Sequence, residues 1–557
     1  MADNRALRVG PTRRGVIVGA VAAVAAAGHA VARPERSSLA APDTLVARGT
    51  VFDQATGAGI SGVLVSNGHD IVPTAHDGSW RLPIAEGDSV FLIKPTGWMP
   101  PRGNNALPRF SYLHQALGSP GSADARFAGV APTGPLPARI DFPLLRCDEN
   151  ERFDVLMVAD TQPHNAAELA FVRDALLASV PATGAAFAIH HGDVMGDDLD
   201  LYERYVGMLG ATGISWHHCA GNHDMNLEAL DGGHAFETWK RVFGPTHYAF
   251  QHGRATFILL NNVEYFGRGN FAAGERGYRG RIGPRQLAFV ENVLRHVPED
   301  HLVVVSMHIP LVSFEEPDSE ADTTVDRHAL LTLLARHPRS VSFSGHSHTT
   351  EHHYLGAEHG FVRAEPHHHH VLTAACGSWW SGPPDHRGIP VSVSRDGSPK
   401  GFHILSIDGN RYQTRFVPTE APSAGGEGMR MLLACDADVG AERDPPAIGC
   451  HVSLARLAAT RLVIDVFDGG PRTEVEIEIG GRRMGLERIA GTDPFVVDFF
   501  ARHPETCKPW VTASPCSHLW ATSLPADLRA GAYRVTARAH NEYGEEIRAY
   551  MVLEVLA

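Results

Sequence analysis

The middle of the chain carries a succession of short, nearly unbroken apolar runs: Phe153–Ala159, Phe187–His190, Phe257–Leu260, Leu302–Met307 and Val341–Ser344. Strands covered on both faces read this way, whereas half-exposed strands alternate. Helical patterns lie between several of the runs. One is predicted from Asn165, an N-cap residue, with Glu168 three residues on and Leu169, Val172 and Leu176 along one face. Strand and helix in alternation predict an α/β domain with covered sheets over residues 151–418. Polar groups follow the ends of successive strands: Asp160-Thr161-Gln162, Gly192-Asp193, Gly221-Asn222-His223-Asp224, His308, and Gly345-His346-Ser347-His348. Asp160 and Asp193 are 33 residues apart, and Asp193 and Asn222 are 29 apart. Each interval is about one βαβ unit of ~30 residues. Parallel strands so spaced deliver these groups to one carboxyl edge, where α/β sheets bind ligands.

The rest of the 557 residues reads differently. Residues 45–147 and 425–557 show short β-branched runs broken by Asn67-Gly68, Asp77-Gly78 and Gly480-Gly481, which predict a β-sandwich on each side of the α/β domain. At the N-terminus, Arg13-Arg14 precedes a modest Ala/Val run and an Ala30-Val31-Ala32 site. This is the pattern of a twin-arginine signal peptide over residues 1–32, followed by a linker over 33–44. The expected address is periplasmic or secreted, without a stable membrane anchor. An oxidising compartment makes two local disulfides plausible, Cys435 with Cys450 and Cys507 with Cys516, against free buried thiols. Lys+Arg 49 against Asp+Glu 63 gives a net charge of −14, which argues against duplex nucleic acid as a partner. Nothing in the pattern fixes an oligomeric state. The 33 histidines raise the question of metal.

Asp160, Gln162, Asp193, Asn222, His308, His346 and His348 together offer two carboxylates, two amides and three imidazoles. Singly, an Asp at a strand end is a common cap and a lone His a common core group. In this order they suffice for two metal ions if Asp193 bridges them. Two divalent ions against two carboxylates and a hydroxide leave a net positive charge, which favours an anionic substrate, and the ions lower the pKa of bound water. Two ions ~3.5–4 Å apart suit in-line displacement at phosphorus.

The ordered motifs resemble those of the calcineurin-like metallophosphoesterases. Phe243-Gly244-Pro245-Thr246-His247-Tyr248-Ala249-Phe250 is similar to secreted phosphodiesterase-like members of that superfamily. Leu519-Trp520, Leu524-Pro525, Leu528 and His540-Asn541-Glu542-Tyr543-Gly544 resemble the C-terminal domain of a bacterial branch with sandwiches on both sides. The resemblance implies a four-layer α/β/β/α core flanked by two all-β sandwich domains. It implies one metal on Asp160, Gln162, Asp193 and His348 and the other on Asp193, Asn222, His308 and His346. His223 would face the substrate, protonating the leaving oxygen or stabilising phosphoryl charge, with either Asp224 or Asp197 to orient it. The two ions would be drawn from Mn, Fe, Zn and Mg. Gln162 stands where many members have histidine, and its harder amide oxygen tilts that site towards Mn²⁺ or Mg²⁺.

On the substrate side, His367–His370 reads either as a polar strand or as a wall near the metals. In the second case His368 and His370 touch phosphate and Trp379 or Trp380 packs the leaving group. Arg281, in Tyr278-Arg279-Gly280-Arg281, is a further candidate for anion contact. The expected activity is hydrolysis of small phosphate esters, with diesters favoured by the resemblance. The alternatives are a phosphomonoesterase of nucleotides or sugar phosphates and, from another class, a non-catalytic envelope- or glycan-binding protein.

Overall fold

Residues 45–103, 105–120, 126–269, 277–419, 428–435 and 449–557 are described by the structure, a computed structural model. The expected signal peptide, the linker and the Cys435 side chain of one expected disulfide lie outside the described residues.

The apolar runs form the centres of two sheets. In chain order the core strands are β1 (Arg152–Val158), β2 (Phe187–His191), β3 (Ser215–Cys219), β4 (Tyr248–His252), β5 (Ala255–Leu259), β6 (Leu302–Ser306), β7 (Ser340–Ser344), β8 (Glu351–Leu355), β9 (His367–Val371), β10 (Gly401–Asp408) and β11 (Arg411–Pro418). One sheet has the order β3-β2-β1-β10-β11, with β1 to β3 parallel. The other has the order β4-β5-β6-β7-β9-β8, with β5, β6, β7 and β9 parallel.

Period-two alternation explains why these strands read as unbroken apolar text. Val155 and Met157 of β1 join the core between the sheets, with Phe257, Val305, Phe343 and Leu405. Leu156 and Val158 turn the other way, under helical residues Leu169, Val172, Tyr202 and Val206. Phe289, Val290, Leu330 and Leu331, from helices Gly283–Leu294 and Arg327–Leu334, cover the second sheet. The result is the four-layer α/β/β/α arrangement. The helix expected after β1 starts at Ala166, and the Asn165 side chain accepts from the Ala167 and Glu168 amides at 2.9 and 3.0 Å. Glu168 does not close a capping box on Asn165. Its carboxylate accepts from the His164 amide at 2.9 Å, one residue earlier.

On the N-terminal side two four-stranded sheets precede β1, and Phe91 meets Phe289 edge-on at 5.8 Å. On the C-terminal side a four-stranded and a five-stranded sheet enclose Met431, Leu462, Ile464, Ile477, Trp520, Ala537 and Leu553. Cys507 and Cys516 are separate thiols, contrary to one expected disulfide. Cys516 is buried in strand Pro515–Ser523, with its sulfur 3.3 Å from His518 Nδ1. Cys516 packs with Leu432, Ala434, Val463 and Leu519, while Cys507 lies in the turn after helix Pro494–Arg502.

Candidate metal centre

Parallel pairing brings the ends of β1, β2 and β3 on one sheet, and of β6 and β7 on the other, to a common edge. Asp160, Gln162, Asp193, Asn222, His308, His346 and His348 meet there, all but His346 buried. His308 Nε2 lies 2.9 Å from Asn222 Oδ1, 3.2 Å from Asp193 Oδ1 and 3.1 Å from His346 Nδ1. The Gln162 amide lies 2.8 Å from Asp193 Oδ2. His348 Nε2 lies 3.7 Å from Asp160 Oδ1, and the Asp160 carboxylate accepts from the His346 amide at 3.0 Å.

Backbone strain is concentrated at this edge. Among the described non-glycine residues, positive φ occurs at Asp160, Gln162, Asp193, Asp197, His346, His348, Trp379 and Trp380, and elsewhere only at Ala106. Such conformations persist where the surroundings over-determine them. The glycines before the ligands serve close approach: a Cβ at Gly221 would overlap Asp193, and one at Gly345 would overlap the Asp160 carboxylate.

The residues fit metal. His308 Nδ1 is 2.8 Å from the His191 carbonyl and His348 Nδ1 is 2.6 Å from the Gly377 carbonyl, so both rings donate outward and turn the Nε2 lone pair inward. His346 Nε2 faces Asp322 Oδ1 at 3.2 Å, and its Nδ1 lies 3.1 Å from His308 Nε2. Lone pairs facing one another at about hydrogen-bond distance call for a cation between them. Without one, protons supply the charge. Burial opposes the charged form of His308, but Asp193 and Asp160 raise it to about 9. Burial raises the Asp160 carboxyl to about 7. Asp193 is held well below the usual carboxylate range, because His308 and His223 outweigh its burial.

His223 stands beside the ligands, half-buried, with its Nδ1 2.9 Å from Asp197 Oδ1. Asp224 does not hold His223. Its carboxylate is taken by the amides of Gly221, Val194 and Met195 and by the Tyr202 hydroxyl, at 2.8–3.2 Å. It buttresses the loops from there.

An open cleft of about 420 Å³ lies over the centre, and Met225, Leu227, Tyr278 and Trp379 form its apolar wall. Trp379 stacks on His348 at 4.2 Å. The other expected substrate contacts are elsewhere. Trp380 is buried and donates to the Thr161 carbonyl at 2.9 Å, as a core residue. Arg281 is paired with Glu264 at 2.6 Å, outside the cleft. His368 and His370 lie within β9, buried and away from the cleft. Three residues at the site escape the sequence pattern. Asn262 accepts from the His308 and Ile309 amides at 3.2 and 3.1 Å, Asp322 faces His346, and Arg395 lines the cleft while paired with Glu315 at 2.7 Å.

Models of known families match most of the chain. Residues 153–350 match the calcineurin-like phosphoesterase model, 46–129 the model for the N terminal of calcineurin-like phosphoesterase, and 369–547 that for its C terminal. Solved structures similar to it include a dimetal phosphatase from Danio rerio, 14% identical, covering 48% of this chain and 96% of that one with a TM-score of 0.33. Another is purple acid phosphatase PPD1 from yellow lupin (Lupinus luteus) seeds, 12% identical, covering 64% and 66% with a TM-score of 0.36. No curated protein matches the chain.

Proposed function

Because the chain belongs to the calcineurin-like phosphoesterases, a family of metal-dependent phosphoester hydrolases with a dimetal centre, we propose that it is an exported phosphodiesterase acting on small substrates. Asp160, Gln162, Asp193 and His348 would hold one ion, and Asp193, Asn222, His308 and His346 the other. Gln162 would first turn its amide over to present oxygen, since the two ends of the group are nearly alike in shape. Two divalent ions supply Lewis acidity and a water of lowered pKa. The chain supplies the rest. Asp197 occupies Nδ1 of His223 and leaves Nε2 for the cleft, where it protonates the departing alkoxide.

The observation that carries the diester preference is the composition of the cleft. Its guanidinium, Arg395, is already paired with Glu315, while Met225, Leu227, Tyr278 and Trp379 offer apolar surface. A singly charged ester with two organic arms suits that wall better than a dianionic monoester. The test is hydrolysis of bis-p-nitrophenyl phosphate and p-nitrophenyl phosphate with Mn²⁺, using Asp193→Ala and His223→Ala as controls. The diester should be the better substrate and both variants should lose activity. Faster cleavage of the monoester would give a phosphomonoesterase instead. Wild-type rates equal to Asp193→Ala on both substrates and on a wider phosphoester panel, with no metal bound, would remove the enzyme reading. Export is supported by the Arg13-Arg14 pair before the Ala/Val run. Arg13→Lys/Arg14→Lys should retain the protein inside the cell on fractionation, and unchanged export would refute the twin-arginine route.

A further inference from the structure

The histidines of β9 are not absorbed by the phosphoester centre. Strand alternation sends His367 and His369 towards the serines of β7, while His368 and His370 face the opposite side. On that side three imidazoles converge on one carboxylate oxygen. His352 Nε2 of β8, His370 Nε2 of β9 and His403 Nε2 of β10 lie 3.2, 3.1 and 3.2 Å from Asp468 Oδ1. The three histidine side chains are 0% exposed and Asp468 is 15% exposed. Asp468 comes from the C-terminal sandwich, two residues after strand Thr460–Val466, and the histidines come from both core sheets.

Two features separate this cluster from an ordinary buried ion pair. Neither nitrogen of His370 makes a hydrogen bond, although Nε2 is close to Asp468, and His403 Nδ1 makes none. Burying imidazoles without hydrogen bonds is costly unless something else engages their lone pairs. The cluster also contains a relay of the kind that prepares a ligand. His352 Nδ1 is 2.9 Å from His368 Nε2, and His368 Nδ1 is 2.9 Å from the Tyr412 hydroxyl. His352 can therefore donate its Nδ1–H to His368, and His368 to Tyr412, which leaves the His352 Nε2 lone pair facing Asp468. The ligand atoms of His352, His370 and Asp468 lie within 4.8 Å of one another, a set that His403 does not join. Ligands ~2.0–2.1 Å from a tetrahedral ion stand about 3.3 Å apart, close to the 3.2 and 3.1 Å that separate His352 and His370 from Asp468.

We infer that His352, His370 and Asp468 form a third metal site that takes a divalent transition ion, zinc by preference. Imidazole and carboxylate donors are a zinc environment. Its place gives it a purpose: one ion would join the second core sheet to the C-terminal sandwich.

The test is zinc content of the full-length protein, measured by elemental analysis after loading with zinc and dialysis. Asp468→Asn and His370→Gln should each hold one zinc fewer per chain than wild type. In a background of Asp193→Asn with His308→Gln, which weakens the phosphoester centre, one zinc should remain, with X-ray absorption reporting imidazole nitrogen and oxygen donors. Should Asp468→Asn not fold, His352→Gln in that same background should release zinc to a chelator at least tenfold faster. Equal zinc counts in wild type and variants, a folded background that holds no zinc, or unchanged release from His352→Gln would each overturn the inference.

Discussion

His223 has an acidic neighbour at the next position in sequence and another 26 positions back, and the fold employs the distant one. Asp197→Asn should lower kcat about 10–100-fold, in keeping with the weight of a positioned proton donor, while metal content and melting temperature stay at wild-type values. Asp224→Ala should do the reverse of this in stability terms. It strands buried donors from Gly221, Val194, Met195 and Tyr202, a loss on the order of 3 kcal/mol readable by urea unfolding. The pair also marks where sequence stops informing. The residues that meet at the candidate metal centre were legible because each follows the end of a covered strand, so that strand spacing alone brings them together. The partner of His223 was legible only as a choice between Asp224 and Asp197, because proximity between the loops after β2 and β3 is a property of the sheet edge, not of the intervals. Asn262, Asp322 and Arg395 were missed for the same reason, lying in segments with no periodicity of their own.

At the scale of elements, β9 shows how a strand can be buried without apolar residues. His367 Nδ1 and Nε2 lie 2.9 and 2.8 Å from Ser340 and Ser342 Oγ, and His369 Nδ1 lies 2.8 Å from Ser342 Oγ. Polar side chains thus satisfy one another along one face of two paired strands, as burial demands. The alternative of a wall beside the metals rested on composition, and pairing in register with β7 overrides it. Covered strands such as β1 and β6 were readable because both their faces are apolar; β8 and β9 have histidine on both sides, and strand patterns do not score it. Ser342→Ala removes a hydroxyl that faces two buried imidazoles. It should destabilise the protein by about 1–3 kcal/mol, seen as a lower urea midpoint at pH 7, with phosphoester hydrolysis per folded molecule unchanged.

Across the whole molecule, the described residues from 45 to 557 belong to one compact unit, so the flanking sandwiches are joined to the core by more than chain continuity. Both sandwiches were legible as strand-rich text, but not their attachments, which join residues more than a hundred positions apart, through apolar packing such as Phe91 on Phe289 and through polar contacts. On the C-terminal side His518 Nε2 lies 3.0 Å from Asp396, and Lys508 Nζ lies 2.9 Å from Glu168 at the start of the first core helix. The Glu168 tie is open to titration. Burial acts to raise its pKa, but hydrogen bonds from His164 and Lys508 prevail and bring it down to about 2. An unfolded glutamate titrates at about 4.3. A carboxyl whose folded pKa is depressed stabilises the fold above its unfolded pKa, and this contribution disappears as the pH falls through the interval down to the folded value. Glu168→Gln keeps the shape and removes the titration. The stability deficit of Glu168→Gln relative to wild type should therefore be constant from pH 7 to pH 5 and shrink below pH 5, as the wild type loses the advantage of its charged pair. Urea unfolding of both proteins at pH 7, 5, 4 and 3 measures it. A deficit that is unchanged or larger at pH 3 would mean that Lys508 and Glu168 do not tie the C-terminal sandwich to the core through charge.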